Sequence, residues 1–253
     1  MSADAKILET RGLRKHFGDL AAVAGVDLTF SEGELTAVIG PNGAGKTTFF
    51  NLVTGRLKPT AGEVYFRGRD ITGLPPYRIA RIGVSRIFQI TNLFPDLTVY
   101  ENIRVAVLSK MRETAKMLAL DRNLKRANDE TDRILNTIGL SDKRNLLCGV
   151  ISHGDQRLVE TGVALAIDPV LLLLDEPTGG MGPEETDEMV QFIGGLIEKR
   201  DMTILLVEHD MSVVFSIAER IVVMHQGEII ADGNPDEIKE NKRVIEAYLG
   251  EEW

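Results

Sequence analysis

Gly40-Pro41-Asn42-Gly43-Ala44-Gly45-Lys46-Thr47, with Thr48 after it, is the stretch on which the reading of this 253-residue chain turns. It fits the pattern Gly-x-x-x-x-Gly-Lys-Ser/Thr, and the apolar run 35–39 leads straight into it, so strand, glycine loop and helix follow one another. Glycines let backbone N–H groups close on phosphate oxygens, and the N-terminus of the following helix adds the positive end of its dipole. In such a loop Lys46 reaches the β- and γ-phosphates and Thr47 supplies a hydroxyl to magnesium. A triphosphate is the ligand this chemistry implies. The plainer alternative, a glycine-rich turn with no ligand, is weighed against the rest of the chain.

Size and composition narrow the choices. A chain of this length with 43% hydrophobic residues can bury a full core, which suits one large α/β unit or a core with a subdomain. Lys and Arg number 29 against 38 Asp and Glu, a net charge of -9 that argues against a broad nucleic-acid surface. A single cysteine, Cys148, rules out an internal disulfide framework, and with four scattered histidines it argues against a zinc cluster. The start, Met1 to Lys6, is polar and leads directly into a strand-like stretch, without the character of a signal peptide. No apolar run approaches the roughly 20 residues that span a bilayer. A cytoplasmic protein is expected, and any membrane process it serves needs separate membrane chains.

Four segments near the start, 7–17, 26–30, 35–39 and 64–66, read as strands, because β-branched and aromatic residues recur between Gly, Ser and Asp. From 97 to 140 the pattern turns to helical periodicity rich in Ala, Leu, Lys and Arg, an inserted helical subdomain. After Ile151 helix and strand alternate: helix 154–166, strand 170–174, helix 183–199, strand 203–207, helix 210–219, strand 221–225. Strict alternation implies a mostly parallel sheet with crossover helices. Gln226-Gly227 then turns the chain between two short apolar strands, and the remainder is helical. The expected division is 1–90, an antiparallel β region with the phosphate loop; 91–165, the helical subdomain; 166–225, the rest of the core; and 226–253, a C-terminal β-turn and helices.

Three further segments carry chemistry. The run 170–174 delivers Asp175 and Glu176 to the C-terminal end of a buried strand, the edge where ligands of open α/β sheets lie. Asp175 suits a water-mediated hold on magnesium, and Glu176 is placed to polarise the water that attacks a γ-phosphate. Strand 203–207 brings Glu208-His209-Asp210 to the same edge; His209 is either a structural cap or a neutral imidazole that senses the γ-phosphate and orients water. Gln89, after the strand-like 84–88, offers a carboxamide to magnesium. Ser152-His153-Gly154-Asp155-Gln156-Arg157 opens a helix with Ser152 as N-cap, and also makes a second anion site. Two phosphate sites on one chain imply shared nucleotides.

Phosphate loop, glutamine, signature segment, Asp-Glu pair and histidine in this order resemble the ATP-binding subunit of an ABC transporter, over essentially the whole chain. The resemblance implies an α/β fold: a P-loop ATPase core of mixed sheet and crossover helices, an antiparallel β subdomain and an inserted helical subdomain. It implies ATP and Mg2+, with Thr47, Gln89 and Asp175 at the metal, Glu176 and His209 catalytic, and Phe17 stacked on adenine, ordinary core packing being the alternative for that ring. It also implies a head-to-tail dimer, of two copies or with a paralogue, in which Ser152, His153, Gly154, Asp155 and Gln156 face the ATP of the partner. Departures stand out: Gly182 in Gly179-Gly180-Met181-Gly182-Pro183 occupies the place of the usual Asp, and His153 and Asp155 replace a Gly and a Gln. An acidic Asp155 repels phosphate, so its direction matters.

Ser-x-Gly-x-Gln-Arg is similar to the subfamily serving branched-chain amino acid uptake, as are Arg86-Ile87-Phe88-Gln89, Asn92-Leu93-Phe94 and Val244-Ile245-Glu246-Ala247-Tyr248-Leu249-Gly250. Partners implied are permease subunits, whose helices enter a groove beside the helical insertion linked to ATP through Gln89, and indirectly a periplasmic or extracellular substrate-binding protein; nucleic acid is not among them. The protein would lie on the inner face of the membrane. Importers of urea or short amides are close alternatives. A soluble ABC-type ATPase usually needs two cassettes or a long coiled coil, absent here; a GTPase lacks its guanine motif, and a kinase leaves the signature without a role. Gly162, inside the signature helix, should cost about 1 kcal/mol relative to Ala.

Overall fold

The computed structural model describes residues 5–87, 93–111, 120–198 and 202–248. Gln89 lies outside the described residues, as does the end of the chain from Leu249. The chain divides into two compact units: residues 1–86, 170–176 and 193–253 form one, and residues 87–169 and 177–192 form the other.

Two sheets build the first unit. Strands β1 (Lys6–Phe17) and β2 (Leu20–Ser31) form an antiparallel hairpin, and β4 (Ala61–Phe66) and β5 (Arg69–Asp70) extend it to the order β2-β1-β4-β5. Strand β2 begins six residues before the predicted 26–30: its first half, Leu20-Ala21-Ala22-Val23, carries a weak strand signal and is held by pairing with β1, where Phe17 faces Leu20. The second sheet runs β10-β9-β3-β8-β7-β6, with β3 (Leu35–Ile39), β6 (Val84–Ile87), β7 (Leu171–Asp175), β8 (Thr203–Val207), β9 (Arg220–His225) and β10 (Glu228–Gly233). Strands β7, β8, β3 and β9 are mutually parallel, and β10 turns back antiparallel to β9. β3 and β8 are buried at every position, which explains why both are apolar apart from one threonine each, Thr36 and Thr203.

Helix α1 (Lys46–Val53) follows β3 and contributes Phe49, Phe50, Leu52 and Val53 to a core shared by both sheets. Phe49 packs tilted against Phe30 and Phe50, with ring centroids 6.4 and 6.3 Å apart. A short helix not expected from the sequence, α2 (Pro76–Arg81), stands before β6; Pro76 in its first turn is pre-set for a helix start.

In the helical unit, α3 (Val99–Met111) and α4 (Leu120–Thr137) pack with α5 (His153–Leu165). The loop before α3 is tied by buried Asn102, whose amide donates to the carbonyls of Phe94 and Thr98 and to Cys148 Sγ, while its Oδ1 accepts the Phe94 N–H. Burial pushes the Cys148 thiol up to about 11, so it stays protonated as a small core group. Helix α6 (Pro183–Glu198) begins in this unit; α7 (Met211–Ile217), α8 (Pro235–Lys239) and α9 (Lys242–Tyr248) belong to the first. Among the described residues no helix is long and apolar enough to cross a membrane.

Candidate functional site

The loop between β3 and α1 is shaped by close approach. Gly40 has φ 151° and Gly45 φ 105°; a Cβ on either would lie 2.1 Å from the Met224 carbonyl oxygen or 2.3 Å from that of Ala22. Only glycine fits at both positions, which leaves the loop as a bare backbone concavity at the N-terminus of α1, suited to phosphate oxygens. Lys46 is buried and its ammonium donates to the carbonyls of Gly40 and of Pro41, the latter at 3.2 Å. Asn42, Gly43 and Thr47 are exposed, and Thr48 is half-buried.

A cleft of about 560 Å³ opens over this loop, within the ~300–1,000 Å³ usual for ligand sites. Phe17, Leu20, Ala21 and Ala22 line one side, Asn42 to Thr48 the floor, and Glu176, His209 and Gln226 complete it. Phe17 is 48% exposed, with Lys15 Nζ 5.2 Å from its ring centroid, so core packing is not its role. The ring presents an open face to the cleft instead. Leu20, Ala21, Ala22 and Gln226 carried no site signal in the sequence, because hairpin pairing and the Gln226-Gly227 turn bring them there.

Both carboxylates stand at the end of β7. Asp175 is paired with the buried Arg86 guanidinium, Nη2 to Oδ2 2.5 Å, and Arg86 also donates to Asn51 of α1 at 2.7 Å. Burial pulls the Arg86 guanidinium below the usual arginine range, with Asp175 opposing that loss. Arg86 went unrecognised as a site residue, since its partners are 35 and 89 positions away in the chain. Glu176 turns out of the strand with φ 52°, the left-handed region uncommon for a side chain of this size, while its N–H donates to the Val207 carbonyl at 2.8 Å. That turn aims Glu176 into the cleft, where its Oε1 lies 3.0 Å from His209 Nε2.

His209 is left for this contact because its neighbour caps the helix. Asp210 Oδ1 accepts from the N–H groups of Ser212 and Val213 at the start of α7, and these bonds, with the Ser212 hydroxyl first, hold its carboxyl below the usual range. The His209 N–H donates to the buried Glu208 carboxylate at 3.0 Å. Asp210, not His209, caps α7, and the His209 ring lies in the cleft beside Glu176.

The residues fit a magnesium triphosphate: the glycine cradle and the Lys46 ammonium suit phosphate oxygens, and the Thr47 hydroxyl and Glu176 carboxylate in the same cleft, with Asp175 next to Glu176 in the chain, are oxygen donors of the kind magnesium takes.

The signature segment is ordered by its own bonds within the helical unit. Ser152 caps α5, its Oγ accepting from the Asp155 N–H at 3.1 Å. Asp155 is turned onto Lys143, Nζ to Oδ2 2.6 Å, and that contact raises the Lys143 pKa. The negative charge is therefore neutralised by a cation 12 residues away. Gln156 donates to the carbonyls of Cys148 and Ile151, and Arg157 and Glu160 form a buried pair at 2.9 Å. His153 is exposed, Gly154 is buried, and the Gly182 N–H donates to Glu185 Oε2 at 3.3 Å. Gly162 faces Ile138, Ile103 and Ile134, which would lie 3.1–3.2 Å from an added Cβ. Its helix cost of about 1 kcal/mol is set against close packing of three buried isoleucines.

Known proteins resemble this chain over nearly its whole length. The family described as ABC transporter matches residues 23–179, and that described as Branched-chain amino acid ATP-binding cassette transporter matches residues 228–253. The chain is 42% identical to the high-affinity branched-chain amino acid transport ATP-binding protein BraF of Pseudomonas aeruginosa, over 97% of this chain and 98% of that one. Among solved structures it is similar to the ADP conformation of MJ1267, an ATP-binding cassette of an ABC transporter, with TM-score 0.83, 30% identity and coverage of 97% and 99%. It is also similar to a dimeric post-hydrolysis state of the ATP-binding cassette MJ0796 bound to ADP and Pi, with TM-score 0.76, 27% identity and coverage of 90% and 98%.

Proposed function

The chain belongs to the ABC transporter family of ATP-binding cassettes, and from that premise we propose that it is the ATP-hydrolysing subunit of an importer for branched-chain or other hydrophobic amino acids. The observation that carries the chemistry is the convergence of the phosphate loop, Glu176 and His209 on one cleft. Glu176 accepts a hydrogen bond from the attacking water, and His209, 3.0 Å away, holds that carboxylate in line and meets the γ-phosphate. Lys46 moves from its own loop carbonyls to the phosphates. Thr47, Asp175 and Gln89 would hold Mg2+, which would neutralise phosphate charge. Phe17 stacks on the adenine ring at the open end of the cleft.

The second half of each site is the signature segment of another cassette subunit, either a second copy or a paralogue. Ser152 and Gly154 at the start of α5 meet the partner's γ-phosphate, and pairing of Asp155 with Lys143 removes the repulsion its charge would cause. ATP closes the dimer, hydrolysis opens it, and the permease alternates its access. The working place of such a subunit is the inner face of the cell membrane, with a substrate-binding protein on the far side.

An exposed apolar patch supports the permease partnership. Phe94, Leu146, Leu147 and Val150 lie 44–72% exposed, and backbone bonds from Cys148 to Leu97 and Gly149 to Pro95 bring their loops together. The test is co-purification from membranes followed by uptake of a panel of amino acids, urea and short amides. The parent chain should bring down two permease chains and restore uptake of branched-chain amino acids. Val150→Asp should lose the permeases while still binding ATP. Recovery of no membrane chain would overturn the transporter reading, and uptake of urea alone would overturn the substrate.

A further inference from the structure

This inference rests on the reading of Ser152 and Gly154 as the contact for a second subunit's ATP. Glu185, in the first turn of α6, lies across that contact within the helical unit. Its Oε2 accepts the Gly182 N–H at 3.3 Å, and its Oε1 and Cδ approach the place of a Gly154 Cβ to 2.9 and 3.0 Å. Ser152, Gly154 and Glu185 line one small pocket, and the Gly182 N–H, followed by the neighbouring Ser152, holds the Glu185 carboxyl below the usual glutamate range. The Ser152 oxygen accepts from the Asp155 N–H, which leaves its single hydroxyl proton for an anion at this end. Asp155 does not compete for it, being turned to Lys143.

We propose that Glu185 is a positioning residue of the signature end: its carboxylate occupies the place beside Ser152 and Gly154 until the γ-phosphate of the second subunit's ATP displaces it. Two anions cannot share one set of donors without strong repulsion. Dimer closure therefore includes the exchange of a carboxylate for a phosphate, and Glu185 sets the nucleotide concentration at which closure occurs. The displaced side chain keeps a partner, because the Gly182 N–H lies outside the Ser152–Gly154 pair.

The test follows the ATP-dependent monomer–dimer equilibrium by analytical ultracentrifugation in a Glu176→Gln background, which stops turnover. Adding Glu185→Gln, which keeps the shape and removes the charge, should tighten the dimer by about tenfold, the loss of one charge-assisted competitor. Glu185→Ala should tighten it in the same direction, giving a second reading if the first variant folds poorly. A dimer unchanged or weakened by both would overturn the inference, since a purely structural tie between Gly182 and Ser152 predicts weakening. If the Glu176→Gln parent itself stays monomeric with ATP, the two-subunit reading fails and this inference with it, a result recognisable before Glu185 is altered.

Discussion

At the scale of single residues, Glu176, to which we assign the chemistry together with His209, stands on an unusual backbone. A glutamate at φ 52° costs on the order of 1–3 kcal/mol, and the bond from its N–H to Val207 together with the His209 contact holds it there. Strain of this kind concentrates where a side chain must point somewhere the regular strand would not send it. His209→Ala should lower kcat by roughly 10²–10³-fold, the range of a group that assists proton transfer, with ATP affinity close to the parent's. Single-turnover hydrolysis beside equilibrium nucleotide binding separates the two. Equal losses in both would make His209 a binding group. The glycine-loop residues and the Asp-Glu pair could be read directly, because each sits within a few positions of its motif. Arg86 could not, since its partners Asn51 and Asp175 come from α1 and β7 and only the folded sheet brings them together.

At the scale of elements, the signature helix shows how packing overrides propensity. Gly162 looks like a defect in a helix, yet an added methyl would meet Ile103, Ile134 and Ile138, all buried, at 3.1–3.2 Å. Gly162→Ala should gain up to about 1 kcal/mol of helix propensity and lose about 1–3 kcal/mol to overpacking. Urea denaturation should accordingly give a lower midpoint than the parent, and a higher midpoint would show that α3 and α4 yield to the extra methyl. The parallel strands were plain from their apolar runs, since burial on both faces leaves no polar alternation. The first half of β2 and helix α2 were not: Ala21 to Ala24 are extended by pairing with β1, and α2 is six residues long. Cleft residues Leu20, Ala21 and Ala22 were hidden for the same reason, as pairing rather than side-chain chemistry places them.

At the scale of the molecule, the phosphate loop and the signature segment, which we propose as two halves of a shared site, lie on different units of the chain. The nucleotide cleft gathers Lys46, Glu176 and His209 around a bare backbone loop. The signature end offers a hydroxyl and helix N–H groups, with its own acid, Asp155, paired with Lys143 and Glu185 lying beside Gly154. A net charge of -9 on each chain works against the pairing of two copies. The most direct measurement mixes Lys46→Ala and Ser152→Arg chains, each also carrying Glu176→Gln, and counts retained ATP per dimer. Sharing of the site predicts that neither variant alone dimerises with ATP, and that the mixture forms a dimer retaining one nucleotide, held by the intact loop of one chain and the intact signature of the other. Dimerisation of the Ser152→Arg chain alone to the extent of the parent, or a mixture that retains no nucleotide, would contradict it.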